Sequence, residues 1–175
     1  INLIILILGV DFFYYWFHRA SHQINFLWAA HIVHHQSEDY NLSVALRQSW
    51  FQGWFSWTFY LPLAFIGFDP KIAFPVMAFN TLYQFWIHTE AIDKMPRWFE
   101  AAMNTPSHHR VHHATNPLYL DRNYAGVFII WDKMFGTFQP EVKGENIRYG
   151  IVKQLGSFNL LWSVFHEWIG MISDI

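Results

Sequence analysis

Long apolar runs alternate along this chain with shorter polar stretches rich in histidine. Residues 1–17 are apolar except for Asn2 and Asp11. As a helix they rise about 26 Å, slightly short of a ~30 Å hydrocarbon core. The run opens on Ile1 rather than Met, so preceding sequence is expected to complete the span. It lacks a basic n-region and a small-residue cleavage site, which argues against a signal peptide. A second apolar run covers residues 50–68, and Gly67, Asp69 and Pro70 then mark a turn. Residues 72–87 run back, interrupted by Pro75. The pattern predicts one membrane span (about 1–17) and a membrane hairpin (about 50–68 and 72–87). Leu160 to Ile172 is apolar with His166 and Glu167 embedded, and reads as an interfacial helix. The predicted fold is all-α, with residues 1–175 forming one catalytic domain.

The polar stretches carry the chemistry. HRASH places His18 and His22 at i, i+4. HIVHH places His31, His34 and His35 at i, i+3, i+4, and HRVHH repeats this with His109, His112 and His113. On a helix each set lies on one face. Eight of the 11 histidines thus fall in three clusters. One HxxHH is a weak signal, but three such clusters in 175 residues point to metal binding. Asn80, Gln84 and His88 form a polar stripe on the returning hairpin helix, which should face protein rather than lipid. His88 becomes a ninth candidate ligand, with Gln84 beside it as a supporting group. Asp11 lies seven residues before His18 on the same helical face. It is either a carboxylate hydrogen-bonded to a ligating imidazole or an interior Asp held by Tyr14 or Tyr15. His108 adjoins the last cluster out of register and is a supporting candidate only. His166 stands alone and is assigned a structural role, and Glu38 and Asp39 read as a solvated turn.

The topology brings these clusters together. A span ending at His18 and a hairpin returning at His88 leave every histidine cluster on one side. Of the 11 Lys and Arg, all but Lys71 lie on that side. The positive-inside rule makes it cytoplasmic. The expected architecture is an integral membrane helical bundle with a cytoplasmic, histidine-rich dimetal cap.

Composition agrees. The chain is 53% hydrophobic, 21% aromatic and 14% charged, against about 25% charged for ordinary soluble domains. A net charge of −2 without a basic run gives nucleic acid no purchase. The absence of cysteine excludes disulfides, thiolate haem, Cys-ligated iron–sulfur clusters and zinc fingers. Eight or nine imidazoles are too many for one ion and suit two, and spacing alone leaves Zn, Cu, Fe and Ni open. Neither HExxH nor G-x-S-x-G supports hydrolysis. A paired iron site activating oxygen against an unactivated C–H bond suits the apolar, aromatic setting better.

The stretches DFFYYWFHRASH, HHQSEDYNLSVALRQS, LYQFWIHTE, NTPSHHRVHH and NYAGVFIIWDKMFGTF cover most of Asp11 to Phe138. Together they resemble the fatty acid hydroxylase/sterol desaturase superfamily of histidine-rich membrane oxygenases, and within it the alkylglycerol monooxygenase branch and its bacterial relatives. The resemblance implies two Fe ions held by His18, His22, His31, His34, His35, His109, His112 and His113. It also implies O₂ as co-substrate, a lipid substrate, and an electron donor that is a tetrahydropterin or a redox protein. In that branch the ether carbon of a glyceryl ether is hydroxylated, and the product collapses to glycerol and an aldehyde. No catalytic group separate from the ligands is required. The branch carries Glu directly after the HxxxH box, where this chain has Gln23, so the oxygenase class follows more directly than the pterin or the ether. The implied location is the endoplasmic reticulum in a eukaryote or the inner membrane in a bacterium. Sterol or fatty-acyl hydroxylation or desaturation at the same site is the nearest alternative. A membrane metal transporter is a further one, disfavoured because transporters place ligands near the bilayer midplane.

Overall fold

The computed structural model describes residues 2–173. The described residues form eight α-helices and no strand, apart from isolated bridges between Met103 and Phe128 and between Ala114 and Tyr149. Helix α1 (Asn2–Gln23) leads through an extended Ile24 into α2 (Asn25–His35). A short 3₁₀ turn, Val44–Leu46, precedes α3 (Gln52–Phe65) and α4 (Pro70–Trp86). Helices α5 (Arg97–Ala102), α6 (Pro106–His112) and α7 (Ile130–Phe135) are short, and α8 (Leu160–Ser173) is the last.

The hairpin turn follows from local chemistry. Gly67 has φ +95°, and the Phe68 amide reaches back to the Leu63 carbonyl, the αL ending that glycine makes easy. Asp69 then caps α4 by accepting from the Lys71 amide at 2.9 Å, with Pro70 in the first helical position.

The helices do not coincide with the apolar runs. Helix α1 passes residue 17 and carries His18 and His22 in its last turns, and it is the one helix long and apolar enough to cross a membrane among the described residues. The run at 50–68 becomes a helix of only 14 residues, about 21 Å long. Trp50 and Phe51 belong to the preceding turn, and the glycine-ended motif takes residues 66–68. Helix α4 has 17 residues, about 26 Å. The first arm of the hairpin is therefore shorter than the hydropathy pattern predicts, while the second keeps its expected length. Its outer faces are apolar even so: Trp54, Phe65, Ile66, Phe74 and Leu82 are each more than half exposed, like Ile4 on α1. So large an unpartnered apolar surface marks an interaction with lipid or protein.

Three small apolar clusters replace a single core. Leu6, Val10, Leu63 and Val76 join α1 to the hairpin, Ile32 and Val33 of α2 meet Val164 of α8, and Val111, Ala114 and Tyr119 pack below α6. Between them the interior is polar. Asp11, fully buried on α1, accepts from Asn80 Nδ2 (2.6 Å), the amides of Val127 (2.7 Å) and Phe128 (2.9 Å), and Trp131 Nε1 (2.9 Å). Asp11 is interior, as the second reading expected, but no imidazole and no Tyr14 or Tyr15 hydroxyl is among these partners. The carboxylate instead ties α1 to α4 and to the segment before α7, because four convergent donors satisfy a buried charge. Gly126 sits where this junction is tightest: a Cβ there would lie 2.8 Å from Asp11 Oδ1.

Candidate metal centre

All nine candidate histidines meet at one end of the α1–α2–α4 bundle. They form two groups, each with ring nitrogens within 4.8 Å of one another: His18, His22, His31, His35 and His112 in one, His34, His88, His109 and His113 in the other. Helix geometry explains the division. In HIVHH the i, i+4 pair His31 and His35 enters the group of five, while His34 turns to the group of four. In HRVHH the pair His109 and His113 enters the group of four, while His112 crosses to the five. Each box contributes two imidazoles to one group and one to the other. Between the groups His35 and His113 stack at 4.3 Å.

Five of the outward nitrogens are held, while His109 Nδ1 is buried without a partner. His18 Nδ1 donates to the Tyr124 carbonyl at 2.8 Å, His112 Nδ1 to the Arg122 carbonyl at 3.0 Å, and His88 Nδ1 to the Gln84 carbonyl at 2.7 Å. His34 Nδ1 donates to the Arg47 carbonyl at 3.2 Å and His31 Nδ1 to Gln52 Oε1 at 3.0 Å. A carbonyl oxygen only accepts, so in each ring the proton is on Nδ1 and Nε2 presents a lone pair. Those Nε2 atoms face one another: His18 and His31 at 3.1 Å, His34 and His88 at 3.2 Å. His35 Nε2 stands 3.2 Å from His31 Nε2, and His109 Nε2 stands 2.9 Å from His88 Nε2. The Nε2 atoms of His22, His112 and His113 are buried without a partner. Lone pairs converging at such distances repel unless a cation lies among them, so the donor set fits metal ions.

Burial keeps the rings neutral. It pushes the imidazoles of His34, His35, His109, His112 and His113 well below the usual histidine range. It pushes those of His31 and His88 down to about 4, the hydrogen bonds to Gln52 and Gln84 acting weakly the other way. A neutral imidazole is the form that binds metal.

The supporting candidates divide. Gln84 acts through its backbone carbonyl on His88, while its side chain donates to Asn80 Oδ1 at 2.8 Å. His108 belongs to neither group and packs its ring against Phe138 at 5.3 Å. His166 is likewise outside both groups, and Glu38 and Asp39 are exposed in a turn.

Several contributors are invisible in the sequence. The carbonyls of Arg47, Arg122 and Tyr124 anchor three rings, yet every residue has a carbonyl. Asp132, fully buried, accepts from the amides of Tyr124 (2.8 Å) and Ala125 (2.8 Å) and so holds the loop that anchors His18. Tyr40 covers the group of four, its ring 5.3 Å from His113 and stacked at 4.7 Å on Tyr149. Gln52 alone leaves a trace, as a polar residue opening an apolar run.

The sequence model of the fatty acid hydroxylase family matches residues 3–137. Among characterised proteins, alkylglycerol monooxygenase of Xenopus tropicalis is 52% identical over 168 residues, spanning 90% of this chain and 37% of that protein. The Danio rerio protein of the same name is 55% identical over 157 residues (90% of this chain, 34% of that protein). The Homo sapiens protein is 54% identical over 160 residues (91% and 35%). The chain thus spans about a third of the length of these relatives. No solved structure matches it.

Proposed function

The chain belongs to the fatty acid hydroxylase family, and from that premise we propose that it is the catalytic part of a membrane di-iron monooxygenase that cleaves alkylglycerol ether lipids. One observation carries the reading: nine imidazoles from four segments bring their ring nitrogens into two adjacent groups. The group of five, His18, His22, His31, His35 and His112, holds one iron. The group of four, His34, His88, His109 and His113, holds the other. When bound, the irons supply oxygen activation and cleavage of an unactivated C–H bond, with O₂ as co-substrate and a tetrahydropterin giving two electrons.

The chain's own residues set the conditions. Backbone carbonyls fix the tautomers of His18, His34, His88 and His112, so these rings bind without proton rearrangement. Trp28 and Tyr40 pack on the outer rings, 5.1 Å from His22 and 5.3 Å from His113, and limit water at the centre. A chamber of about 250 Å³, walled by His22, His35, His112 and His113, gives a substrate access to both groups. Oxygen inserted at the ether carbon leaves a hemiacetal, which collapses to an aldehyde and glycerol without a protein base. The apolar faces of α1 and the hairpin lie in lipid, and the histidine end faces the cytoplasm.

The test uses full-length protein in membranes with an alkylglycerol, O₂ and a tetrahydropterin. Aldehyde release is expected, at about two irons per chain, and His112→Ala abolishes it. An iron-loaded preparation that releases no aldehyde but hydroxylates a sterol or fatty acyl chain would replace the ether substrate and keep the oxygenase.

A further inference from the structure

The histidine-walled chamber does not end at the metal groups. Trp28, Ile151 and Val152 line both it and a second cavity of about 420 Å³ that continues between α2 and α8 past Ile32, Leu155 and Trp162 to Gly170. Polarity changes along this path. At the inner end lie the partnerless Nε2 atoms of His22, His112 and His113 and the carboxylate of Asp121, 3.7 Å from His22 Nδ1. Beyond Trp28 one side of the cavity is apolar, with Ile32, Ile151, Leu155 and Trp162, while Lys153, Gln154, His166 and Glu167 give it a polar edge. On α8 itself Leu160, Leu161, Ile169 and Ile172 are exposed, an apolar face suited to the bilayer interface.

We infer that the two cavities form one binding site for a single-chain amphiphile, with the polar head in the histidine-walled chamber and the alkyl chain running past Trp28 between α2 and α8. Gly170 sets the chain length accepted. The inference rests on the proposed lipid oxygenation and adds to it where the substrate lies and what selects it. A head anchored beside Asp121 puts the carbons next to it over the imidazoles and leaves the chain the apolar side of the second cavity, along Ile32, Leu155 and Trp162. Each methylene buried there strengthens binding roughly fourfold. A Cβ at Gly170 meets no atom within 4 Å, so a larger side chain enters the cavity rather than a packed core, and the helix tolerates it.

The experiment uses the full-length protein in membranes, as wild type and as Gly170→Phe. Alkylglycerols of long and short chain, each with a diazirine at the chain end, are photo-crosslinked and the labelled peptides mapped. In the wild type the long chain is expected to label α8 around Trp162 to Gly170. In Gly170→Phe that labelling is lost and long-chain binding weakens about 15- to 60-fold, as displacing two or three methylenes would do, while short-chain binding is unchanged. Labelling of α3 and α4 instead, or equal weakening of both chain lengths, overturns the groove. A fatty acid bearing the same diazirine separates the two readings. Labelling by the acid and not by the alkylglycerol keeps the groove and removes the ether substrate. Cleavage of an alkylglycerol that labels elsewhere keeps the reaction and removes the groove.

Discussion

The two histidine groups are built from the same boxes yet sit in different surroundings. The group of four is the more enclosed: His34, His88, His109 and His113 are all at most 5% exposed, Tyr40, itself under Tyr149, covers His113, and only His113 reaches the chamber wall. The group of five lies at an edge. His22 is only partly buried, and three of the five line the chamber. Nitrogen ligands are spare in the open group and minimal in the closed one. If the proposed function holds, that contrast predicts that the enclosed group mainly holds an ion and the edge group mainly meets substrate.

Ligand removal tests the contrast with the largest effect. His88→Ala leaves the closed group three imidazoles, and iron is expected to fall to about one per chain with activity lost. His22→Ala leaves the open group four, and iron content stays nearer two while substrate KM rises. Elemental analysis beside substrate titration reads both, and equal iron loss in the two variants would break the comparison. Next comes Asp132→Ala. It strands the Tyr124 and Ala125 amides and the Thr137 hydroxyl, which donates to Asp132 at 2.6 Å. A cost of about 3 kcal/mol in stability is expected, with iron loss confined to the open group that His18 serves. Thermal denaturation and metal counting on the same samples distinguish this from general collapse.

A smaller effect is expected from Gln52→Leu, which frees His31 Nδ1 and should weaken open-group metal affinity about 10- to 100-fold with the fold intact. Competition with a chelator measures it, and unchanged affinity would remove Gln52 from the site. Acid sensitivity sharpens the picture last. His31 and His88 are held down to about 4 when folded, against 6.5 when unfolded, so the unfolded chain binds more protons between those values. Stability of the iron-free protein is therefore complete above pH 6.5 and declines as pH falls toward 4. Asp132, raised by burial to about 6, acts in the opposite sense, but one carboxyl is outnumbered by the imidazoles. A melting curve flat across that range would contradict neutral, buried rings.

Much of the site is legible in the order of residues along the chain. The three boxes and His88 mark nine side chains that do converge, and the polar stripe ending at His88 correctly signals an inward face. Asp11 is legible as an interior charge but not by destination: its donors come from residues 80, 127, 128 and 131, too distant in sequence for any local pattern. Hydropathy overestimates the first arm of the hairpin, because apolar residues in a turn read the same as apolar residues in a helix.

The helix repeat accounts for what the chain specifies locally. Residues at i, i+4 share a face, so His18 with His22, His31 with His35, and His109 with His113 are bound to act together. Tertiary packing is what parts His34 and His112 from their neighbours and sends each to the opposite group. A residue at i+3 is rotated from its box partners by a fraction of a turn, and which neighbour that rotation faces depends on how α2, α4 and α6 are packed. The same holds for the carbonyls of Arg47, Arg122 and Tyr124, since a backbone oxygen has no side-chain identity and becomes an anchor only where the fold puts it.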